Sequence, residues 1–169
     1  LGDLPLIAEA LGEITPAVDE LCEKLGLPGM KILQFAFSGE SANPYLPHNF
    51  TSPNCLVYTG THDNNTSNGW FYGQESSAAT KQIILDYMNL PCRDEFHWQF
   101  IRLAMQSIAS LAIFPVQDIL GYDEHFRMNT PGQGAGNWTW KLTTGALTTD
   151  ISRRLLGLTG LYNRLPRPE

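Results

Sequence analysis

Tyr58-Thr59-Gly60-Thr61-His62-Asp63-Asn64 closes a short apolar run, Cys55 to Tyr58, and follows it at once with Gly, His, Asp and Asn. A strand on a sheet surface alternates apolar and polar residues. This run does not, so it reads as a buried strand. Its polar tip has two readings. Asp and Asn cap the segments that follow strands, which makes a plain turn. The same residues at the end of a buried strand can equally carry a polar site.

Working outward, other segments end in the same way. Leu4 to Ala8 is an apolar run with Glu9 directly behind it. Thr15-Pro16 reads as the N-cap and first position of a helix. Val18, Leu21, Cys22 and Leu25 recur along that helix, and Gly26 is its stop. Lys31 to Phe37 predicts a second strand and leads into a Ser38-Gly39-Glu40 corner. Ser77–Met88 and Glu95–Leu111 predict helices, the second with Phe96, Phe100, Leu103, Ala104, Ser107, Ile108 and Leu111 along one side. Ile113 to Val116 predicts a fourth strand running into Gln117-Asp118. Met128 to Trp140, rich in Gly, Asn, Pro and Trp, predicts an ordered loop. Thr149–Asn163 predicts a closing helix with Ile151, Leu155, Leu158 and Leu161 on its apolar face.

Apolar strands that alternate with helices mark an α/β fold, a parallel sheet covered by helices. About four parallel strands cannot close a barrel, since an eight-stranded α/β barrel takes roughly 250 residues. The choice is a small doubly wound sheet or the C-terminal part of a (β/α)8 TIM-type barrel. Barrel enzymes carry their chemistry at the C-terminal ends of the strands. Glu9, the Phe37-Ser38-Gly39-Glu40 corner, His62-Asp63 and Gln117-Asp118 all fall at such ends, and a shared polar rim is expected.

Bulk properties narrow the function. The 169 residues suffice for one segment with a real core. Only 17% are charged against 43% hydrophobic, which argues against disorder. A net charge of −6 disfavours nucleic acid and anionic membranes as partners. No apolar stretch approaches the roughly 20 residues of a spanning helix. Cys22, Cys55 and Cys92 lack metal-ligand spacing and read as reduced thiols of a cytosolic protein. Leu1-Gly2-Asp3-Leu4-Pro5 has no basic leader. It reads as a processed N-terminus or a cut within a longer protein.

Glu9 follows Ile7-Ala8, and a carboxyl set against apolar neighbours gains the raised pKa of a general acid; a capping or ion-paired Glu is the plainer reading. Asp63 is a second carboxylate and His62 its hydrogen-bonding neighbour. Paired carboxylates beside a His suit glycosidic-bond chemistry. A metal site drawing on His48, His62 and Asp63 competes, without helical His spacing or a cysteine pair behind it. No Ser occupies a Gly-x-Ser-x-Gly elbow, so a Ser-His-Asp reading lacks its nucleophile. The loop from Met128 to Trp140 holds Trp138 and Trp140, whose flat faces pack on sugar C–H surfaces, and Asn amides that bond sugar hydroxyls. At least one of those Trp residues is expected only to anchor the loop.

These motifs, in this order, resemble the C-terminal third of the 4-α-glucanotransferases (amylomaltase or disproportionating enzyme, glycoside hydrolase family 77). The resemblance rests on Ile7-Ala8-Glu9 with Leu11-Gly12 and Ile14-Thr15-Pro16, and on Pro28-Gly29-Met30-Lys31 with Leu33-Gln34-Phe35-Ala36-Phe37. Asn43-Pro44-Tyr45-Leu46-Pro47-His48-Asn49, Tyr58 to Asn64, Met128-Asn129-Thr130-Pro131-Gly132 and Gly136-Asn137-Trp138-Thr139-Trp140 complete it. It implies a retaining transfer of α-1,4-glucan segments between maltodextrins or to glucose. Glu9 matches the family's acid/base and Asp63 its transition-state-stabilising carboxylate. His62, Asn137 and Phe35 match substrate contacts. The implied chemistry needs no metal or organic cofactor. The family's Asp nucleophile, in an Asp-Gly-Phe-Arg type motif, has no counterpart here, so the rest of the barrel is the expected partner and the isolated chain is expected to be inactive. Ala10, Asn65, the Ser38-Gly39-Glu40 corner and Lys141 depart from the family's usual residues. The alternatives are an α-amylase-type hydrolase and a non-catalytic glucan-binding segment.

Overall fold

The computed structural model describes residues 6–9, 11–12, 15–91 and 94–166. Leu4, Ala10, Ile14 and Cys92 lie outside the described residues. The chain is mixed α/β. Three strands form one parallel sheet in the order β1 (Gly29–Ile32), β2 (Cys55–Tyr58), β3 (Leu111–Ile113). Gly29 pairs with Cys55 and Ile32 with Tyr58, while Leu56 pairs with Leu111 and Tyr58 with Ile113. The strands therefore end together, and the chain leaves all three on the same side. Central β2 is buried along Cys55, Leu56 and Val57, as its unbroken apolar run requires.

The sequence expectation of about four strands is corrected to three among the described residues. Residues 6–9 are not a strand, although the Ala8 N–H donates to the Pro28 carbonyl at 3.2 Å beside β1. The second strand stops at Ile32, five residues early. Leu33–Phe35 is a 3-10 turn, and the Asn43 amide donates to the Phe35 carbonyl at 2.9 Å, taking an acceptor that a ladder would have used. The expected fourth strand, Ile113–Val116, is found as β3 at Leu111–Ile113, and Pro115, which has no N–H, bars its continuation.

The helices are α1 (Pro16–Lys24), α2 (Ser67–Tyr72), α3 (Ala78–Met88), α4 (Phe96–Met105), α5 (Val116–Ile119) and α6 (Thr149–Leu161). Ser77 caps α3 and Thr148 caps α6, each accepting the N–H three residues on. Helix α4 is apolar enough to bury two faces. Phe96 and Phe100 join Phe37, Trp70 and Phe71 in the core over the sheet, with Phe71 and Phe96 stacked at 3.8 Å. On its other side Trp98, Ile101 and Met105 meet Ile151, Leu155 and Leu158 of α6.

Helix α4 ends at Met105, short of the expected Leu111. The Arg164 guanidinium takes the carbonyls of Met105, Ser107 and Ala109 at 2.7, 2.8 and 2.9 Å, which supplies the bonds that a longer helix would have made internally. The closing helix stops at Leu161, two residues before the expected Asn163. Helix α2 was not expected, since Gly69 sits in the middle of it. A side chain there would meet the Glu124 backbone at 2.7 Å, so close packing requires the glycine. No described helix is long and apolar enough to cross a membrane.

Candidate active site

Past the ends of the strands lies a cleft of about 520 Å³. Ile7, Met30, Tyr58 and Phe114 give it an apolar floor, and Glu9, His62, Arg127 and Trp138 reach it from the loops. Ligands of parallel α/β sheets bind outside these carboxyl ends, where backbone groups and loop side chains converge.

The tip of β2 is a hydrogen-bonded turn with polar residues at its crest. Asn64 Oδ1 accepts the Thr61 N–H and the Thr61 hydroxyl, each at 2.9 Å, and Thr61 Oγ1 accepts the Asp63 N–H at 3.3 Å. Thr61 and Asn64 make the turn, and the turn leaves His62 and Asp63 exposed at its crest. His62 Nε2 lies 3.4 Å from Asp63 Oδ1. The His62 ring rests 5.0 Å from the Trp138 ring. Trp138 is 60% exposed and holds a left-handed φ of 60°, uncommon for a bulky side chain.

Glu9 lines the same cleft but is exposed, so the apolar enclosure expected around it is absent among the described residues. Burial pushes the Tyr58 phenol up, and the charge of Glu9 adds to that rise. The structure thus brings Glu9, His62 and Trp138 to one cleft, with Asp63 beside His62.

Asn137 is next to Trp138, yet its amide is taken up within the loop. Its Oδ1 accepts the Thr130 N–H at 2.9 Å and its Nδ2 donates to the Gln133 carbonyl at 2.9 Å. Phe35 is 44% exposed, edge-on to Tyr45 at 5.6 Å, and is not among the residues lining this cleft.

The Gln117-Asp118 pair splits at the expected rim: both are buried in α5, but Gln117 lines the cleft while Asp118, 1% exposed, does not. Burial pushes the Asp118 carboxyl up, while bonds from Ser67 and Thr59 hold it down. The Ser38-Gly39-Glu40 corner is exposed and leaves a 3-10 turn, not a strand.

The metal alternative loses its geometry. His48 Nδ1 lies 3.0 Å from the Tyr87 hydroxyl, and among the described residues only exposed Asp123, Glu124 and His125 bring three ligand atoms together. Cys22 and Cys55 are free, and burial pushes the Cys55 thiol up.

Sequence reasoning missed Arg127 and Glu75, and placed Asn129 only within the Met128-to-Gly132 motif. Asn129 Nδ2 donates to Asp63 Oδ1 at 2.5 Å, and Arg127 reaches Asp63 and Glu75. These pairs span more than fifty residues. The one local sign was the position of Arg127 and Asn129 around Met128, at the head of the Trp-bearing loop.

The chain is thus an α/β segment whose parallel strands open at their carboxyl ends into a cleft that Glu9, His62 and the exposed Trp138 line. The family model described as 4-alpha-glucanotransferase matches residues 1–148, and the chain belongs to that family. It is 49% identical over 165 residues to the 4-alpha-glucanotransferase of Synechocystis sp. and 41% identical over 170 residues to that of Thermus thermophilus. Each alignment covers 97% of this chain, but 32% and 34% of those proteins. The chain therefore spans about a third of the length of these relatives. An amylomaltase from Streptococcus agalactiae, solved in complex with acarbose, superposes with a TM-score of 0.89 at 35% identity, over 98% of this chain and 33% of that one.

Proposed function

We propose that this chain is the C-terminal part of the (β/α)8 barrel of a 4-α-glucanotransferase, residues 1–169 forming one segment of it. The reading gives the whole enzyme the transfer of α-1,4-glucan segments between maltodextrins or to glucose. The observation that carries it is the convergence of Glu9, His62 and exposed Trp138 on one cleft, with Asp63 alongside.

In this reading a glucan ring lies against Trp138 and His62. Glu9 protonates the glycosidic oxygen as the C1–O bond breaks, and a carboxylate from the remainder of the barrel takes C1 as an ester. The shortened glucan leaves with that proton. An acceptor hydroxyl then attacks C1, the ester bond breaks, and Glu9 removes the hydroxyl proton. Asp63 faces the sugar and favours the positive charge that develops on it. Asn137 acts through the loop it braces, and Phe35 at the outer margin of the substrate path. The cytoplasm, or the plastid in a plant or alga, is the location that goes with this reading.

In the full-length enzyme, Glu9→Gln is expected to lower glucan transfer by orders of magnitude while the fold persists. Unchanged turnover would reject the role. Formation of longer dextrins from maltotriose, set against release of reducing ends, separates transfer from amylase-type hydrolysis. The isolated 169 residues are expected to show no turnover.

A further inference from the structure

Arg127 is 19% exposed and uses its guanidinium on three segments. Its Nη2 donates to the Asp63 carbonyl at 2.7 Å, its Nε to the Asn129 carbonyl at 2.8 Å, and its Nη1 to Glu75 Oε1 at 3.0 Å. That same Glu75 oxygen accepts the Asn65 amide at 2.7 Å. Asn129 completes the circuit: its N–H donates to the His62 carbonyl at 3.1 Å and its amide to Asp63 Oδ1. The two residues at the crest of the β2 turn are thus tied to the head of the loop that presents Trp138.

We propose that Arg127, held by Glu75, is a positioning residue that sets Asp63 and His62 against Trp138 and so fixes the sugar-binding geometry; this rests on the glucanotransferase reading. Chemistry favours Arg for the task. The planar fork offers donors in fixed directions, and here each finds an acceptor on a different piece of chain. Lys would keep the charge but could not span the three acceptors in that geometry. Glu75 neutralises the guanidinium and draws one edge of it away from the cleft. Without that carboxylate, Nη1 loses its acceptor and the fork can swing off the Asp63 carbonyl, which loosens the turn that carries His62 and Asp63. A displacement of about 1 Å at reacting groups is enough to cost about 100-fold in rate.

The test uses the full-length enzyme with Arg127→Lys and Glu75→Gln. One readout is maltotriose disproportionation, with kcat and KM determined separately and normalised to folded protein. The other is the NMR resonance of the His62 ring, assigned with a His62→Gln control. The Trp138 ring current makes that resonance sensitive to their spacing. Arg127→Lys is expected to lower kcat about 100-fold, to change KM much less, and to move the His62 resonance. Glu75→Gln follows in the same direction with a smaller effect. If Arg127→Lys keeps kcat within about twofold and leaves the resonance in place, the proposal is overturned. A loss of activity that only tracks the folded fraction, with the resonance unmoved, also overturns it. If the wild type makes no longer dextrins yet the resonance moves in Arg127→Lys, the clamp stands and the glucanotransferase reading falls.

Discussion

Asp118 Oδ1 accepts the backbone N–H of Ser67 at 2.7 Å, joining α5 to the first turn of α2 across 51 residues. Oδ2 accepts the hydroxyls of Ser67 and Thr59 at 2.7 and 2.5 Å. Thr59 directly precedes the Gly60-to-Asn64 turn, so one buried carboxyl underpins the tip that carries His62 and Asp63.

That carboxyl leaves a signature in the pH dependence of stability. Burial raises its pKa above the ordinary Asp value of about 3.9. Below that value the contribution is fully present. As pH rises, the unfolded chain ionises first while the folded site holds its proton, so stability is lost until the pH passes the raised folded value. Asp118→Asn does not titrate. The difference in Tm, wild type minus variant, is expected to shrink as pH is raised from about 4. Thermal melts across pH check this, and a constant or widening difference would refute it.

Trp138 should show stability and binding moving apart. Trp138→Gly releases about 1–2 kcal/mol of left-handed backbone cost, against about 0.5–1 kcal/mol lost to the entropy of an added glycine. Stability of the full-length enzyme is expected to hold or rise slightly. Under the proposed function, maltodextrin binding should weaken about tenfold, or about 1.4 kcal/mol. Trp138→Ala should lose the same binding while keeping the strain, and so melt below Trp138→Gly. Calorimetric titration with a maltodextrin decides it: wild-type affinity in both variants rejects the platform.

Gly121 cannot carry a side chain. A Cβ there would lie 2.7 Å from His97 Cε1, and the backbone φ is +68°. Gly121→Ala is expected to cost about 2–4 kcal/mol from clash and strain together. Adding His97→Ala should recover the clash part and leave the strain part, so urea denaturation of the double mutant must be less than additive.

Arg164 replaces a missing turn of helix at the end of α4. Arg164→Ala leaves three carbonyls for water to serve at a partly buried site, and about 1–3 kcal/mol of stability should be lost. Hydrogen exchange should rise in the last turn of α4 more than in β2. Uniform protection in the variant would deny the cap.

The parts of this fold that were legible depend on neighbours in sequence. Thr15-Pro16 announced its helix because Pro16 at the first helical position is a local signal, although the Thr15 side chain makes no cap bond, and Cys55 to Tyr58 announced its strand because both of its faces are covered. The missed parts depend on distant partners. Helix α2 hides behind Gly69, whose reason is the Glu124 backbone. The end of α4 hides because Arg164 lies 59 residues beyond Met105. At the site, Glu9, His62 and Asp63 stood out as polar residues behind apolar runs. Asp118 had the same local pattern but was misjudged, since nothing nearby shows that Thr59 and Ser67 turn it inward. Arg127 and Glu75 gave no periodic or motif signal of a bond.

The segment from Thr130 to Asn137 holds Gly132, Gly134 and Gly136 and reads as a loose tether, yet Asn137 bonds it back on itself at Thr130 and Gln133. Its conformational entropy is therefore surrendered when the chain folds, not when a ligand arrives. Loss of these internal Asn137 bonds should accordingly surface first as a lower melting point, with affinity in the surviving folded molecules nearly intact.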